Sequence, residues 1–263
     1  MKKILGVVTL AVIICAVLVG CSGGSTVAPA WADREELVYN VTDTNTKETL
    51  GTMTVVNERR PEDKTLNGKT YDADGKTTVT VVMGETTINT VFLTSQYTVL
   101  ASQKTRTEGE NVTVTNAYHS GKYYYYSVNG GEEKKLKTGN TGYTDSEYLY
   151  NYIRCYDLSS TSPASVKIAD AATGTVKTVT TTRMSVSTAS VPVPYPAGAK
   201  EVDCYVVAVS LSDTPSGSAI YVWYTPDNDD YNLSGKSISP SKKFPVKIVE
   251  NNITYTLASM SVR

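Results

Sequence analysis

Two cysteines, Cys155 and Cys204, offer the most chemistry in this 263-residue chain, because a thiol can act as a nucleophile, a metal ligand or half of a disulfide. A catalytic thiolate needs a histidine or a cationic pocket beside it, whereas Cys204 directly follows Asp203. We therefore expect either a disulfide between Cys155 and Cys204 or two buried thiols that pack as small apolar groups. The sequence leaves these two interpretations open.

Other groups suited to catalysis or metal binding are sparse. His119 is the one histidine, and no G-x-S-x-G motif accompanies it. Zinc has neither a C-x-x-C nor an H-E-x-x-H spacing to bind. The stretch PDNDDYN, with Asp227, Asp229 and Asp230, lacks the glycine and glutamate of a helix-loop-helix calcium site, so we interpret it as a solvated loop. Two carboxylates on neighbouring strands could still lie at the separation that glycoside hydrolysis needs, and the sequence leaves this alternative open. It predicts no catalytic residue, no metal and no cofactor, and thus no enzyme.

The first 21 residues predict an exported lipoprotein. Lys2 and Lys3 precede an uncharged, mostly apolar run, and the sequence LVGC, a lipobox, ends at Cys21. We expect residues 1–20 to be a signal peptide, Cys21 to carry a diacylglycerol, and residues 21–32 to be a lipidated, flexible tether. A single domain then spans residues 33–263. Its predicted location is extracytoplasmic, where a disulfide can persist, and its partner is the membrane through Cys21.

The composition is typical of a β-sheet protein whose sheet faces are partly exposed to solvent. The chain has 19 tyrosines against 2 phenylalanines, and a tyrosine combines an apolar ring with a polar end. The formal net charge is −1 and no basic block occurs, so we expect no nucleic-acid partner. Glycosylation sequons occur at Asn40, Asn111, Asn232 and Asn252, and they matter only in a host that glycosylates exported proteins.

From residue 35 onward, short alternating runs separated by turn dipeptides predict antiparallel strands. LVYNVT (37–42), CYVVAVSL (204–211) and ITYTLASM (253–260) are examples. The strongest hairpin signal is Asn129-Gly130 between YYYYSV and EEKKLK, because this dipeptide readily takes the positive φ values of a type I′ turn. The sequence thus predicts a mainly β fold.

One segment, Gly142 to Leu158, breaks the β pattern and predicts a helix of roughly three turns. Thr144 and Glu147 have capping-box spacing, and Leu149 and Ile153 fall on one face. A single amphipathic helix needs a sheet to cover, so we expect a strongly curved antiparallel sheet with this helix packed on its concave face. A division into two domains near Gly142 is the structural alternative.

The second half resembles a family of bacterial envelope domains of unknown function. The resemblance rests on LYNYIRCYDL (149–158), VPVPYPAGAKEVDCYVVAVS (191–210), IYVWYTPD (220–227) and FPVKIVENN (244–252), where the family has PAGTF-like, D-C-Y-like, W-L-S-D-like and P-V-R-I-like motifs. It covers about Leu149 to Asn252, and the insertion at 227–243 departs from the family pattern. That family is similar in fold to the lipoprotein carriers LolA and LolB, which implies a half-open β-barrel with helical cover.

Three functions follow as hypotheses. The first is a non-enzymatic, lipid-anchored envelope protein that binds an apolar ligand, such as a lipid, an acyl chain or the lipid of a lipoprotein, in its curved sheet. The second is a scaffold module that docks an envelope partner through an edge strand or its tyrosines. The third is a hydrolase that uses carboxylates or Cys204. Under the first, the candidate lining residues, all of which fit a plain core role equally well, are Tyr123, Tyr125, Leu149, Tyr152, Ile153 and Trp223.

Overall fold

The computed structural model describes residues 34–59, 62–66, 68–71, 77–83, 87–93, 99–139, 143–146, 148–171, 173–194, 197–213, 219–226 and 243–262. The predicted signal peptide, the lipobox at Cys21, the tether and the acidic stretch Asp227 to Asp230 lie outside the described residues. So does Asn232, whereas Asn40, Asn111 and Asn252 are exposed.

Strands dominate the described part of the chain, which confirms the mainly β prediction. The strands are β1 (Arg34–Asp43), β2 (Thr49–Arg59), β3 (Lys64–Leu66), β4 (Lys69–Tyr71), β5 (Thr77–Met83), β6 (Thr87–Leu93), β7 (Val99–Glu108), β8 (Asn111–Ser120), β9 (Tyr123–Val128), β10 (Lys134–Lys137), β11 (Tyr143–Asp145), β12 (Ala164–Asp170), β13 (Thr175–Pro194), β14 (Ala197–Leu211), β15 (Ile220–Tyr224), β16 (Pro245–Glu250) and β17 (Ile253–Val262). A short helix, α1 (Leu149–Ile153), lies between β11 and β12.

Within the described residues, fifteen strands form one sheet in the order β10-β9-β8-β7-β6-β5-β2-β1-β17-β16-β15-β14-β13-β12-β11, and β3 pairs with β4 separately. Neighbouring strands are antiparallel except β11 and β12, which run parallel. β1 pairs with both β2 and β17, so it joins the two halves of the chain into one sheet. The sheet does not close, because β10 and β11 are its two ends.

The strands form where the alternation predicts them. In β1, Glu35, Leu37, Tyr39 and Val41 are buried and their neighbours are half-buried or exposed, which is the period of two expected for a strand with one face inward. The predicted Asn129-Gly130 turn is confirmed, since both residues have positive φ values of 51° and 67° and the Gly131 amide donates to the Val128 carbonyl over 2.9 Å.

Strong curvature brings the ends of the sheet towards each other. The Asp145 carboxylate on the end strand β11 accepts hydrogen bonds from Asn89 on β6 over 3.1 Å and from Ser102 on β7 over 2.8 Å. All three side chains are buried. The sheet therefore wraps round an interior, although its last strands do not pair.

The predicted three-turn helix is wrong. Its proposed cap, Thr144, is buried in β11, where it pairs with Ile168 of β12, and the helix that forms has five residues and no side-chain cap. Sheet pairing prevails because an isolated helix this short is marginal on its own. After Ile153 the amides of Arg154, Cys155 and Tyr156 bond to carbonyls three residues back, which tightens and ends the helix.

A buried ion pair fixes the short helix to the sheet. Arg154 donates to both Glu35 carboxylate oxygens, over 2.7 and 3.0 Å, and both side chains are 0% exposed. Asn57 on β2 also donates to Glu35, over 2.7 Å, and the Asn151 side-chain oxygen accepts from Arg154 over 3.2 Å. Burial is the largest single influence and would lower the pKa of Arg154, but the charge and hydrogen bonds of Glu35, with smaller contributions from Tyr39 and Cys155, together raise it.

We expect Arg154→Met to lower the free energy of unfolding by about 3–5 kcal/mol, because it leaves the Glu35 carboxylate buried without its counter-ion. The control is Arg106→Met, which breaks an exposed pair with Glu108 and should cost less than about 1 kcal/mol. Urea denaturation measures both. Adding Glu35→Gln to Arg154→Met should recover part of the loss, and equal losses for Arg154→Met and Arg106→Met would contradict this account.

Candidate functional site

A cavity of about 220 Å³ lies inside the curved sheet, beneath α1. Its walls come from both halves of the chain, because β1 and β2 line it together with β12, β14, β15, β16 and β17. The lining is mainly aliphatic, with contributions from Met53, Val55, Leu149, Ile168, Ile220 and Ile248. A mainly aliphatic interior of this kind suits an apolar ligand or ligand segment.

Hydrogen bonds link the elements around the cavity. Tyr39 donates its hydroxyl to the Pro245 carbonyl over 2.7 Å, which links β1 to β16. Tyr224 donates to the carbonyl of Tyr150 over 2.8 Å, and so ties β15 to α1. Because the Glu35–Arg154 pair also fixes the end of α1, the helix is held at both ends and cannot move freely into the space below it.

One end of the cavity is polar. Tyr150 on α1 donates its hydroxyl to the Glu250 carboxylate over 2.9 Å, and exposed Ser146 lies beside them. Burial, with the Glu250 charge as a second cause, raises the pKa of Tyr150 well above its usual range, and burial raises that of Tyr255 to about 12. Both phenols therefore stay neutral hydrogen-bonding groups near pH 7.

Three of the predicted lining residues lie inside the sheet. Leu149 lines the cavity, while Tyr152 and Ile153 on the same helix are buried in the adjoining core. The Tyr152 ring packs edge-on between Tyr148 and Tyr156, with ring centroids 6.1 and 5.6 Å away.

The other three predicted lining residues face away from the cavity. Tyr123 and Tyr125 are half-buried and alternate with buried Tyr124 and Tyr126, so they lie on the outer face of β9. Trp223, also half-buried, lies between buried neighbours on β15, with the Lys247 amine 4.7 Å from the centre of its ring. The structure thus does not bring these three to the apolar cavity.

Sequence reasoning missed Tyr39, Tyr150, Glu250 and Tyr255 in the cavity wall. Tyr39 had a usable signal, because it shares its alternation with Leu37 and Val41 in LVYNVT. The Tyr150–Glu250 hydrogen bond joins residues 100 positions apart, and no local sequence pattern predicts such a pair.

Cys155 and Cys204 are free, buried thiols in the structure, not a disulfide. Burial raises the pKa of each thiol to about 12. His119 is half-buried, its Nε2 lies 3.3 Å from the Thr138 hydroxyl, and burial lowers its pKa. The arrangement at both cysteines favours packing, because thiolates form poorly in such surroundings.

Across the described segments, no cluster of three or more histidine, cysteine, aspartate or glutamate side chains is arranged to hold a metal ion. The helix found there is too short to span a membrane.

No protein-family model and no curated protein matches the sequence. Among solved structures, the chain is similar to a beta-barrel-like protein of domain of unknown function DUF1849 from Brucella abortus, with 10% identity, a TM-score of 0.49, and coverage of 89% of this chain and 99% of that chain. A candidate lipoprotein from Parabacteroides distasonis ATCC 8503 has 13% identity, a TM-score of 0.30, and coverage of 90% and 99%. At these scores neither likeness assigns a function, and the likeness to LolA and LolB stays a prediction.

The two thiols should be almost inert in the folded protein. A pKa of about 12, against an ordinary value of 9.0, lowers the thiolate fraction at pH 8 by on the order of a thousandfold, so alkylation by iodoacetamide should slow at least as much. Peptide mass mapping distinguishes Cys155 and Cys204 from the other cysteines, and denaturant provides the reference rate. Rapid labelling of folded protein, or a peptide pair joined by a disulfide, would contradict the expectation.

Proposed function

We propose that this chain is a non-enzymatic, lipid-anchored envelope protein that binds an apolar ligand, such as an acyl chain, inside its curved sheet. The observation that carries the proposal is the aliphatic cavity under α1 with its polar end at Tyr150 and Glu250. The sequence supports the anchor and the location through the lipobox at Cys21.

The size and lining of the cavity support an apolar occupant. Apolar cavities of about 150 Å³ in other proteins stay dry and bind a benzene ring, so a space of about 220 Å³ accommodates a ring or part of an alkyl chain. Water gains little there, because the aliphatic walls offer few hydrogen-bond partners. An apolar ligand gains dispersion contacts with side chains from eight elements.

Binding is favoured over hydrolysis by the state of the candidate nucleophiles. Cys155 and Cys204 are buried thiols with raised pKa values, and His119 bonds to Thr138. The carboxylate at the cavity, Glu250, accepts the Tyr150 hydroxyl. These groups serve as packing and hydrogen-bonding groups rather than as an activated nucleophile with its base.

The outer face of β9 favours the scaffold module as a second candidate. Exposed Tyr118 stacks on Tyr125 with ring centroids 5.0 Å apart and parallel to within 7°. Tyr123 lies next to them, with the amines of Lys122 and Lys135 at 5.9 and 5.5 Å from its ring centre. Aromatic side chains are enriched in protein-binding surfaces.

Filling the cavity should abolish binding of an apolar probe. We expect the purified protein to enhance the fluorescence of 1-aminoanthracene, and Val55→Phe to weaken that binding at least about tenfold, or about 1.4 kcal/mol, because the new ring occupies the cavity. The matched control is Val112→Phe, an identical change at an exposed position of β8, which should bind like the parent.

Near-UV circular dichroism and the urea midpoint verify that both variants fold, since overpacking at Val55 costs about 1–3 kcal/mol. The proposal fails if the parent does not bind the probe, or if both variants bind it equally.

The scaffold candidate predicts something different. A photo-reactive amino acid at Tyr125 should then cross-link one defined envelope protein in cells, while the same group at Met184, an exposed site on β13, should not. Equal cross-linking from Tyr125 and Met184 would count against docking through the β9 face.

A further inference from the structure

A second, polar cleft lies where the two ends of the sheet approach each other. It has a volume of about 500 Å³. β7, β8, β9 and β10 form one side, and β11 with the end of β12 and the following turn forms the other. Gly174 in that turn has a φ of 67°, and a Cβ there would lie 3.1 Å from the Tyr126 hydroxyl, so glycine lets the turn approach the sheet closely.

The cleft has the side chains of a site for sugars. Tyr124 and Tyr126 are buried on the inner face of β9, with ring centroids 6.0 Å apart and planes within 26°, which makes a broad aromatic wall. Asp145 is only 6% exposed, and hydrogen bonds from Asn89 and Ser102 fix its carboxylate at the wall. The hydroxyls of Thr113, Thr115 and Thr173 complete the lining. Aromatic edges, a fixed acceptor and hydroxyls together match the alternating apolar and hydroxyl faces of a saccharide.

The charges of the cleft favour a neutral head group over a phosphate or a carboxylate. Among the lining residues described, Lys104, Arg106 and Lys134 balance Glu108, Asp145 and Asp170. Arg106 is already paired with Glu108 over 2.6 Å. With equal numbers of cationic and anionic side chains, the lining gives an ionic head group no net attraction to offset the cost of leaving water.

The polar cleft and the apolar cavity adjoin. Exposed Ser146 lines both, with Asp145 in the cleft before it and Leu149 over the cavity after it. Along β12, Ile168 lines the cavity and the next residue, Ala169, lines the cleft. Because successive side chains point to opposite faces of a strand, β12 separates the two spaces at this position. A ligand that spans both spaces would lie against Ser146, with an aliphatic environment on one side and an aromatic, hydroxyl-rich environment on the other.

We propose that the ligand is a neutral glycolipid-like amphiphile, with its alkyl part in the apolar cavity and its sugar head in the polar cleft. This inference rests on the proposed function, because it assigns a head group to the same apolar ligand. Size supports joint occupation. The cleft, at about 500 Å³, has the size of a typical ligand pocket, roughly 300–1,000 Å³, and the cavity, at about 220 Å³, adds room for an alkyl part but is too small for a whole ligand of that size.

The test compares three ligands that share parts: n-octyl maltoside below its micelle concentration, n-octanol and maltose. Each is titrated against the full-chain protein loaded with 1-aminoanthracene, and each is also measured by calorimetry. We expect octyl maltoside to displace the probe at a concentration at least about tenfold lower than octanol does, which corresponds to the contribution of a few head-group hydrogen bonds. Maltose alone should bind weakly and should not displace the probe.

Two variants locate the head group. Asp145→Asn keeps the shape but removes the charge that strengthens a hydrogen bond from a sugar hydroxyl, and Thr115→Val removes one hydroxyl from a half-buried position. Each substitution should weaken the binding of octyl maltoside by about three- to tenfold and leave the binding of octanol unchanged. The control Asp203→Asn changes an exposed carboxylate on β14 and should alter neither ligand. If Asp145→Asn does not fold, Thr115→Val alone tests whether the head group binds in the cleft.

The outcomes distinguish failure of the proposed function, which is binding of an apolar ligand, from failure of the glycolipid inference alone. If 1-aminoanthracene does not bind at all, the proposed function itself fails. If it binds and octanol and octyl maltoside displace it equally, with both variants unchanged, apolar binding stands and the glycolipid inference is overturned. Tight binding of maltose without any advantage for octyl maltoside would also overturn it, because the cleft would then be a separate sugar site.

Discussion

The buried pair of Glu35 and Arg154 is the interaction on which the interior of this protein depends. Transferring both charges from water is costly, and the cost is offset only because two short hydrogen bonds join them and Asn57 and Asn151 satisfy further atoms. Hydrophobic contacts alone would let a five-residue helix slide or rotate. A bidentate pair allows one position, so we attribute to it the placement of α1 over the cavity.

A second polar contact acts at the other end of the same segment. Asp145 is the last residue of β11 and precedes α1. The hydrogen bonds that it accepts from Asn89 and Ser102 attach β11 to β6 and β7, which are far from β11 in the strand order. The chain from Asp145 to Arg154 is thus fixed to the sheet at both ends by charged groups. It forms the partition of the interior: the side with the aliphatic residues of β2, β15 and β16 is apolar, and the side with β7, β8 and β9 is polar.

The strands could be predicted from the sequence, and the partition could not. Alternation in LVYNVT and the Asn129-Gly130 turn are local signals, and both correspond to the structure. The capping box of Thr144 was also a local signal, but in the structure Thr144 pairs with Ile168 between β11 and β12 and does not cap a helix. Glu35 shares the inward alternation of Leu37 and Tyr39, and only its partner 119 residues away explains a charge at that position. Of the predicted lining residues, Leu149 reaches the cavity because helix spacing directs it inward.

The cavity is bounded by polar contacts that link its walls. The hydroxyl of Tyr39 joins β1 to β16, and that of Tyr224 joins β15 to α1. Under the proposed function, a ligand in this space would make its contacts in the folded protein alone. Binding would therefore stabilise the folded state, and the stabilisation would grow with the ligand concentration.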